Sequence, residues 1–262
     1  MTRTKVVLGA LVLTLIAAVV AVKLMFFPVI KDDYFGMKQE NLREVPSGLV
    51  VVRPTHFPKS ARKGIVSDSV RKSGKPVWRM MGRNVSFQQL MAVAYGRNPD
   101  RVIVPPDAPK TNFDFLFTMS GDLQPRLQAA IRKKLGFVAR LEKRDSDALA
   151  LTVQDASLPG LVVSDGNAKP NVNFEKGKLY FTHMRVQMML DGLEQALKMP
   201  VVDKTDLTNF YDFSVTMDAQ LQRQMQNDAT ATAAVKRILG AWGLALVPDT
   251  EQIEMLVVHS AG

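Results

Sequence analysis

A short pattern that occurs twice constrains the fold of this chain more than any other feature of its sequence. Phe113-Asp114-Phe115-x-x-Thr118-Met119 returns, at one fixed offset, as Tyr211-Asp212-Phe213-x-x-Thr216-Met217. Self-similarity of this kind indicates one supersecondary unit used twice. Apolar residues alternate or recur at helical spacing around both copies, so the sequence predicts two small modules of the order β-α-β-β-α-β-β.

The predicted fold class is therefore α+β, with an N-terminal transmembrane helix followed by the two repeated modules. Glycines and prolines between the modules indicate a linker. The predicted organisation along the chain is a cytoplasmic stub at 1–5, a transmembrane signal anchor at 6–30, a juxtamembrane tether with an edge strand and a basic loop at 31–76, a first module at 77–157, a linker at 158–176 and a second module at 177–262.

Local signals fix several elements within this plan. Ser86 is a candidate N-cap for the first helix of the first module, and Gly96 is suited to the left-handed position that ends it. Each module is predicted to close with a hairpin, because two β-rich runs flank a short polar stretch. The predicted hairpins join 137–141 to 148–153 and 244–247 to 253–258.

The N-terminal segment predicts where the protein resides. Residues 6–30 are almost uncharged, and Arg3 and Lys5 precede them. The positive-inside rule then places the N-terminus in the cytoplasm and the rest of the chain outside. The prediction is a single-pass protein of the inner (cytoplasmic) membrane whose C-terminal domain is extracytoplasmic, in the periplasm. A cleaved signal peptide is the alternative.

Charge and composition exclude several classes of partner and chemistry. The net charge is +9, part of it in the N-terminal segment, and the basic residues are not interleaved with aromatic ones. This balance indicates a solvated surface, so we expect no nucleic-acid partner. The chain has no cysteine, which excludes disulfides and thiol chemistry.

The run after Pro200 contains the candidate site residues of the second module. These are Asp203, Lys204, Thr205, Asp206, Tyr211 and Asp212, and their counterparts in the first module are Asp107, Lys110, Phe113 and Asp114. One interpretation makes Asp203 a base beside Lys204. The favoured interpretation is a structural turn that Asp203 caps, with tight backbone at Asp206. Strand alternation predicts that Asp114 and Asp212 point outward.

Other motifs give no catalytic centre. Two Ser-x-x-Lys matches, at 60–63 and 69–72, lie in the basic loop instead of at a helix start. The three histidines, His56, His183 and His259, lack metal-ligand spacing and are predicted to be exposed. Trp78 and Trp242 are predicted to pack in the core. We therefore expect no metal and no cofactor, and these motifs favour a protein without enzyme activity.

The run Pro200-Val-Val-Asp-Lys-Thr-Asp-Leu-Thr-Asn-Phe-Tyr-Asp-Phe213 and the upstream segment Asn84-Val-Ser-Phe-Gln-Gln-Leu-Met-Ala-Val-Ala-Tyr95 resemble one family. It is the uncharacterised "soil-associated" family of bacterial proteins, a domain of unknown function. The usual family run has glycines where this chain has Asp206 and Asn209. The resemblance extends from Leu49 to the C-terminus and implies no known activity. It implies an N-terminal signal or anchor and a sensing or scaffold role.

Each predicted module is also similar, in strand and helix order, to the short N-terminal interaction domains of secretins and TonB-dependent receptors. Two functions follow from these observations. The first is a non-catalytic, membrane-anchored extracytoplasmic interaction, scaffold or sensor module with a protein partner in the cell envelope. The alternative is an enzyme or small-ligand sensor using a cleft between the modules around 203–212. A salt-bridged, solvated turn favours the first function, and a polar cleft favours the second.

Overall fold

The computed structural model describes residues 32–58, 60–72, 75–120, 124–225 and 227–262. Within them are six α-helices: α1 (Gln39–Glu44), α2 (Phe87–Tyr95), α3 (Gln124–Leu135), α4 (Val186–Leu197), α5 (Ala219–Met225) and α6 (Asp228–Ala241). The strands are β1 (Val50–Pro54), β2 (Gly64–Lys72), β3 (Lys75–Val85), β4 (Val102–Ile103), β5 (Phe113–Ser120), β6 (Phe137–Val153), β7 (Val162–Val163), β8 (Asn171–Glu175), β9 (Lys178–Met184), β10 (Val201–Asp203), β11 (Tyr211–Thr216) and β12 (Leu244–Ser260). Short 3-10 helices lie at Asp32–Phe35 and Pro99–Arg101.

The chain divides into two compact units. The first holds the described residues up to Val85 together with 114–120, and the second holds 86–113 and the described residues from 124 onward. The first unit is built on sheet A, with the strand order β1-β5-β3-β2. Apolar side chains from this sheet and from α1 form its core, including Leu42, Met81 and Leu116.

The second unit contains two sheets. Sheet B has the strand order β10-β6-β12-β4, and sheet C has the order β7-β11-β9-β8. One apolar core fills the space between sheets and helices, with Leu151 from β6, Leu244 from β12, Phe213 from β11 and Leu239 from α6 among its buried members. Burying large side chains of this kind stabilises each by about 1.5–3 kcal/mol relative to leaving them exposed.

Two strands of 17 residues dominate sheet B. β6 and β12 pair antiparallel along their whole length, from Leu244 opposite Val153 to Ser260 opposite Phe137. β10 pairs in parallel with β6, and β4 pairs in parallel with β12. Sheet B therefore takes one long strand from each predicted module.

The predicted fold class needs correction on three points. The prediction of two separate repeated modules is wrong, because each predicted closing hairpin is one continuous strand, β6 or β12, and these two strands pair with each other. The prediction of a basic loop within 31–76 is also wrong in part, since this segment contains β2, a nine-residue strand that pairs with β3. The predicted linker contributes β7 and β8, which are the two edge strands of sheet C.

The predicted transmembrane helix at 6–30 lies outside the described residues. Across the part of the chain that the structure describes, no helix is both long and apolar enough to span a membrane. The architecture supported by the described residues is therefore an α+β fold of three sheets and six helices.

Other local predictions are confirmed. Ser86 caps α2, since its Oγ accepts a hydrogen bond from the Gln89 N–H and the Gln89 side chain accepts one from the Ser86 N–H. Gly96 follows α2 with φ of 62°, in the left-handed conformation that glycine adopts without strain. The predicted edge strand is also present, because β1 lies at one edge of sheet A.

Candidate functional site

The turn after β10 is held by its own side chains. Asp203 Oδ1 accepts hydrogen bonds from the Thr205 N–H at 2.9 Å and from the Thr205 hydroxyl at 2.6 Å. The Thr205 hydroxyl oxygen in turn accepts one from the Leu207 N–H at 3.2 Å. This is an Asx-type turn that occupies the Asp203 carboxylate locally, although no helix follows Asp203 as the capping interpretation expected.

Lys204 ties this turn to sheet B. Its ammonium contacts Asp249 at 2.7 Å and also Glu251, both on β12. The hydrogen bonds to these two carboxylates raise the pKa of Lys204 to about 12. The Lys204 ammonium and the backbone N–H of Thr250 hold the pKa of Asp249 below its usual value. The turn is a solvated, ion-paired structure, the arrangement that favours the first of the two functions.

Tyr211 and Asp212 lie apart from this turn, on sheet C. Tyr211 is buried in the core of the second unit. Asp212 Oδ1 accepts a hydrogen bond from the backbone N–H of His183, at 2.8 Å, on the neighbouring strand β9. The six candidate residues of the run after Pro200 therefore divide between the turn after β10 and sheet C, and the carboxylates of Asp203 and Asp212 accept backbone hydrogen bonds there.

Asp114 plays the corresponding role in the first unit. Its Oδ1 accepts a hydrogen bond from the Asn84 N–H at 3.0 Å, and its Oδ2 lies 3.5 Å from the Arg53 Nε. Asn84 and His183 have φ of 56° and 55°, each near the end of the strand that leads into a helix. The recurring Phe/Tyr-Asp-Phe pattern thus encodes a carboxylate that anchors a left-handed residue. The outward orientation predicted for Asp114 is wrong, since this residue is 0% exposed.

The remaining counterpart residues have separate environments. The Ser260 hydroxyl donates a hydrogen bond to Asp107 Oδ2 at 3.1 Å, Lys110 is exposed, and Phe113 is buried against Phe87. Of the two tryptophans predicted in the core, Trp242 is buried and Trp78 is about half exposed.

Two clusters of polar side chains were not predicted from the sequence. The first surrounds His183, which is buried instead of exposed, with its Nδ1 3.3 Å from Ser164 Oγ and its ring stacked on Phe210. Asp212 hydrogen-bonds the backbone of His183 and not its ring, so these side chains do not form the relay of a serine hydrolase.

The second group surrounds Glu194 on α4, a carboxylate that is 2% exposed. Its Oε1 accepts hydrogen bonds from the Arg101 Nε at 2.8 Å and the Val201 N–H at 2.9 Å, and its Oε2 accepts one from the Asn98 side chain at 3.2 Å. Burial, followed by the nearby Glu194 charge, raises the pKa of Asp100. Donors from three residues satisfy the Glu194 carboxylate, so the group is structural.

The open edge of sheet C has a different character. All five residues of β8 are exposed, and they include Val172 at 50% and Phe174 at 59%. Val172 lies opposite Phe181 and Phe174 opposite Leu179, both on β9. Since directly paired residues share a face of a sheet, the two exposed side chains continue the apolar face formed by Phe181 and Leu179. No signal in the sequence identified this strand, because asparagines and glycines surround it.

The described ranges contain no candidate metal site, because no three histidine, aspartate or glutamate side chains within them are arranged to hold an ion. The Asp203 and Lys204 side chains are engaged within the fold, and β8 presents apolar and main-chain groups.

Comparison with known proteins identifies a family of unknown function. The family described as "Protein of unknown function (DUF3738)" matches residues 88–261, which is more than half of the 262 residues. No curated protein and no solved structure matches the chain. The expectation of an uncharacterised domain family is confirmed at this level. The chain belongs to the DUF3738 family of proteins of unknown function.

Proposed function

We propose that this protein is a non-catalytic interaction module that binds an extended segment of a partner polypeptide along the free edge of β8. One observation carries the proposal: β8 is an edge strand whose five residues are all exposed, with Val172 and Phe174 on one face. A partner strand laid beside β8 would hydrogen-bond its outward N–H and C=O groups.

The composition of β8 distinguishes it from a protected edge. Soluble proteins commonly guard edge strands with lysine, proline, a bulge or a covering segment. The β8 sequence, Asn-Val-Asn-Phe-Glu, contains no lysine and no proline. Its pairing with β9 is regular from Asn171 opposite Thr182 to Glu175 opposite Lys178. The strand therefore offers a straight template with two large apolar side chains.

The alternation of side chains along β8 also predicts the residue pattern of the partner segment. Side chains alternate along a strand, so Val172 and Phe174 point to one face, and Asn171, Asn173 and Glu175 point to the other. A partner strand with apolar residues at every second position would cover Val172 and Phe174 on the first face and leave polar residues on the second. The resemblance to the soil-associated family favours a partner in the cell envelope.

The alternative, an enzyme or small-ligand sensor built around 203–212, has less support. The Asp203 carboxylate already accepts a hydrogen bond from Thr205, and the Lys204 ammonium already forms ion pairs with Asp249 and Glu251. Binding a substrate or ligand there would first have to break these contacts.

The test uses site-specific photo-crosslinking of the full chain in the cells that produce it. A photoreactive phenylalanine analogue is placed at Phe174, and the control places it at Val247, which is 47% exposed on β12 of sheet B. We expect Phe174 to give a discrete crosslinked band, whose partner peptide mass spectrometry identifies as an extended segment with alternating apolar residues. Equal crosslinking at both positions, or none at Phe174, contradicts the proposal.

A second measurement separates a foreign partner from another copy of the chain. Sedimentation velocity over a range of concentrations reports the mass of the wild-type protein and of Phe174→Asp. A dimer that Phe174→Asp dissociates would mean that β8 pairs with a second copy. A monomer at all concentrations leaves the crosslinked partner as the occupant.

A further inference from the structure

We propose that the second unit binds a small, neutral, apolar molecule in a cavity beneath α4, α5 and α6. The cavity has a volume of about 340 Å³. Phe181, Phe213 and Val215 from sheet C line it on one side. Met189 from α4, Met225 from α5 and Ile238 from α6 line it on the other. No residue of β8 lines this cavity, although Phe181 belongs to the same apolar face of sheet C as Val172 and Phe174.

The chemistry of the walls selects the ligand. Every described residue that lines the cavity is apolar, and the indole of Trp242 supplies a single polar N–H. Water in a cavity needs about two to four polar partners to be held. A charged or strongly hydrogen-bonding group would be desolvated there without compensation. The portion of a ligand that enters must therefore be a hydrocarbon or an aromatic ring.

The volume fits this class of molecule. Ligand sites commonly have volumes of about 300–1,000 Å³, and a hydrocarbon-lined cavity of about 150 Å³ is already large enough to bind benzene. The cavity here, at about 340 Å³, therefore accommodates two fused rings or an alkyl chain. Five methionines line it, namely Met184, Met188, Met189, Met217 and Met225. Their flexible, polarizable side chains adapt to ligands of different shape.

A polypeptide segment is a poor occupant of the same space. Its backbone would bring N–H and C=O groups into a cavity that offers them almost no partner. This argument separates the cavity from β8, where backbone groups are available to pair. Met188 is exposed at the surface of α4 and lies on the cavity wall, which gives an entry point for a small molecule.

Two helical glycines provide a matched pair of variants. A Cβ atom added at Gly192 on α4 or at Gly240 on α6 meets no heavy atom within 4 Å. Both glycines are exposed, but Gly192 lines the cavity and Gly240 does not. Gly192→Leu therefore adds a bulky side chain at the rim of the cavity, and Gly240→Leu makes the same change in helix propensity away from it.

The experiment titrates the full-length protein with N-phenyl-1-naphthylamine, a neutral dye that fluoresces in apolar surroundings. We expect saturable binding at one site and a rise of Tm with dye for the wild type and for Gly240→Leu. Gly192→Leu should retain the wild-type circular dichroism and show, without dye, the same Tm as Gly240→Leu. Its Kd should rise at least tenfold, which corresponds to about 1.4 kcal/mol.

Two further variants control for unfolding of Gly192→Leu and for dye binding at β8. Gly192→Met fills the same space with a flexible side chain and replaces Gly192→Leu if that variant unfolds. Phe174→Asp removes the apolar group at β8 and should bind the dye with the wild-type Kd, which shows that the dye is not held at the strand edge. Absence of saturable binding by the wild type, or equal Kd values for the filled and control variants, overturns the proposal.

Discussion

Arg101 donates a hydrogen bond from Nε, at 2.8 Å, to the buried carboxylate of Glu194, and thereby neutralises the charge that α4 carries into the second unit. Backbone and side-chain donors from Val201 and Asn98 complete the coordination of Glu194. The pair joins the 3-10 helix before β4 to the helix before β10. The contact therefore links the segments that precede the two short outer strands of sheet B.

Removing the cation should be costly, because it leaves a buried carboxylate with neutral donors only. We expect Arg101→Met to lower the free energy of unfolding by an amount at the lower end of the range of about 3–5 kcal/mol for broken buried pairs, since Arg101 is partly exposed. The double variant Arg101→Met with Glu194→Leu should recover much of the loss. Urea denaturation measures all three proteins.

The control for that series is Arg97→Met. Arg97 pairs with Glu254 at 2.8 Å, with both side chains exposed, so its loss should change the free energy of unfolding by about 0–1 kcal/mol. Equal losses for the Arg97 and Arg101 variants would show that the buried pair has no special role.

The two aspartates of the recurring pattern make the same hydrogen bond at different depths. Asp114→Ala should destabilise the protein by about 3 kcal/mol, because it also leaves Arg53 without its buried carboxylate. Asp212→Ala removes one hydrogen bond in a less buried place and should cost about 1 kcal/mol. Hydrogen exchange should show lost protection at the Asn84 and His183 amides, respectively. An Asn replacement that restores protection at each amide is the control.

The turn after β10 gives a prediction about backbone conformation. Asp206 has φ of 55°, which glycine adopts more easily than aspartate. Asp206→Gly should therefore leave the Tm unchanged or raise it slightly. Asn209 is not among the positive-φ residues, so Asn209→Gly should cost roughly 0.5–1 kcal/mol through the entropy of the unfolded chain. Thermal unfolding of the two variants side by side checks this, and the reverse order of stability would refute it.

Acid sensitivity should depend on Glu142 in β6. Hydrogen bonds from Arg140 and then Arg144 lower the pKa of Glu142 to about 2 from 4.5. A carboxyl whose folded pKa is depressed contributes stability above its unfolded pKa and loses it as the pH falls toward the folded pKa. The Tm advantage of the wild type over Glu142→Gln should thus be full at pH 5 and vanish near pH 2.

Histidines lose their charge as the pH rises toward neutrality, and His259 lies 3.3 Å from the Glu142 carboxylate, so the comparison is confined to pH 5 and below. A constant Tm difference between the wild type and Glu142→Gln across that interval would mean that the arginine contacts do not control the titration of Glu142.

Signals confined to a few neighbouring residues predicted structure well. The Ser86 cap and the Gly96 helix end depend on contacts within one turn of helix, so the sequence alone specifies them. The bond between Asp203 and Thr205 is equally local, and the structural interpretation of that run agrees with it in substance.

Predictions that required distant partners failed. The polar stretch Lys143-Arg-Asp-Ser-Asp147 has the composition of a turn, yet it continues β6 because β12 pairs with it residue by residue. Alternation placed Asp114 outward, whereas Arg53 and Asn84 hold it inside. β8 lacks a strong strand signal of its own and exists through its pairing with β9. Non-local pairing of this kind leaves little trace in a window of local sequence.

The strand order of sheet B delays its assembly until β12 has been synthesised. Both β4 and β6 pair with β12, and all four strands of sheet C are translated before β12 emerges from the ribosome. Pairing between strands so distant in sequence is slow. Until the last strand arrives, β6 can pair only with the three-residue β10, and most of its 17 residues stay open to other nascent chains. A chain with this topology therefore exposes β6 to aggregation for longer than a chain whose paired strands are adjacent in sequence.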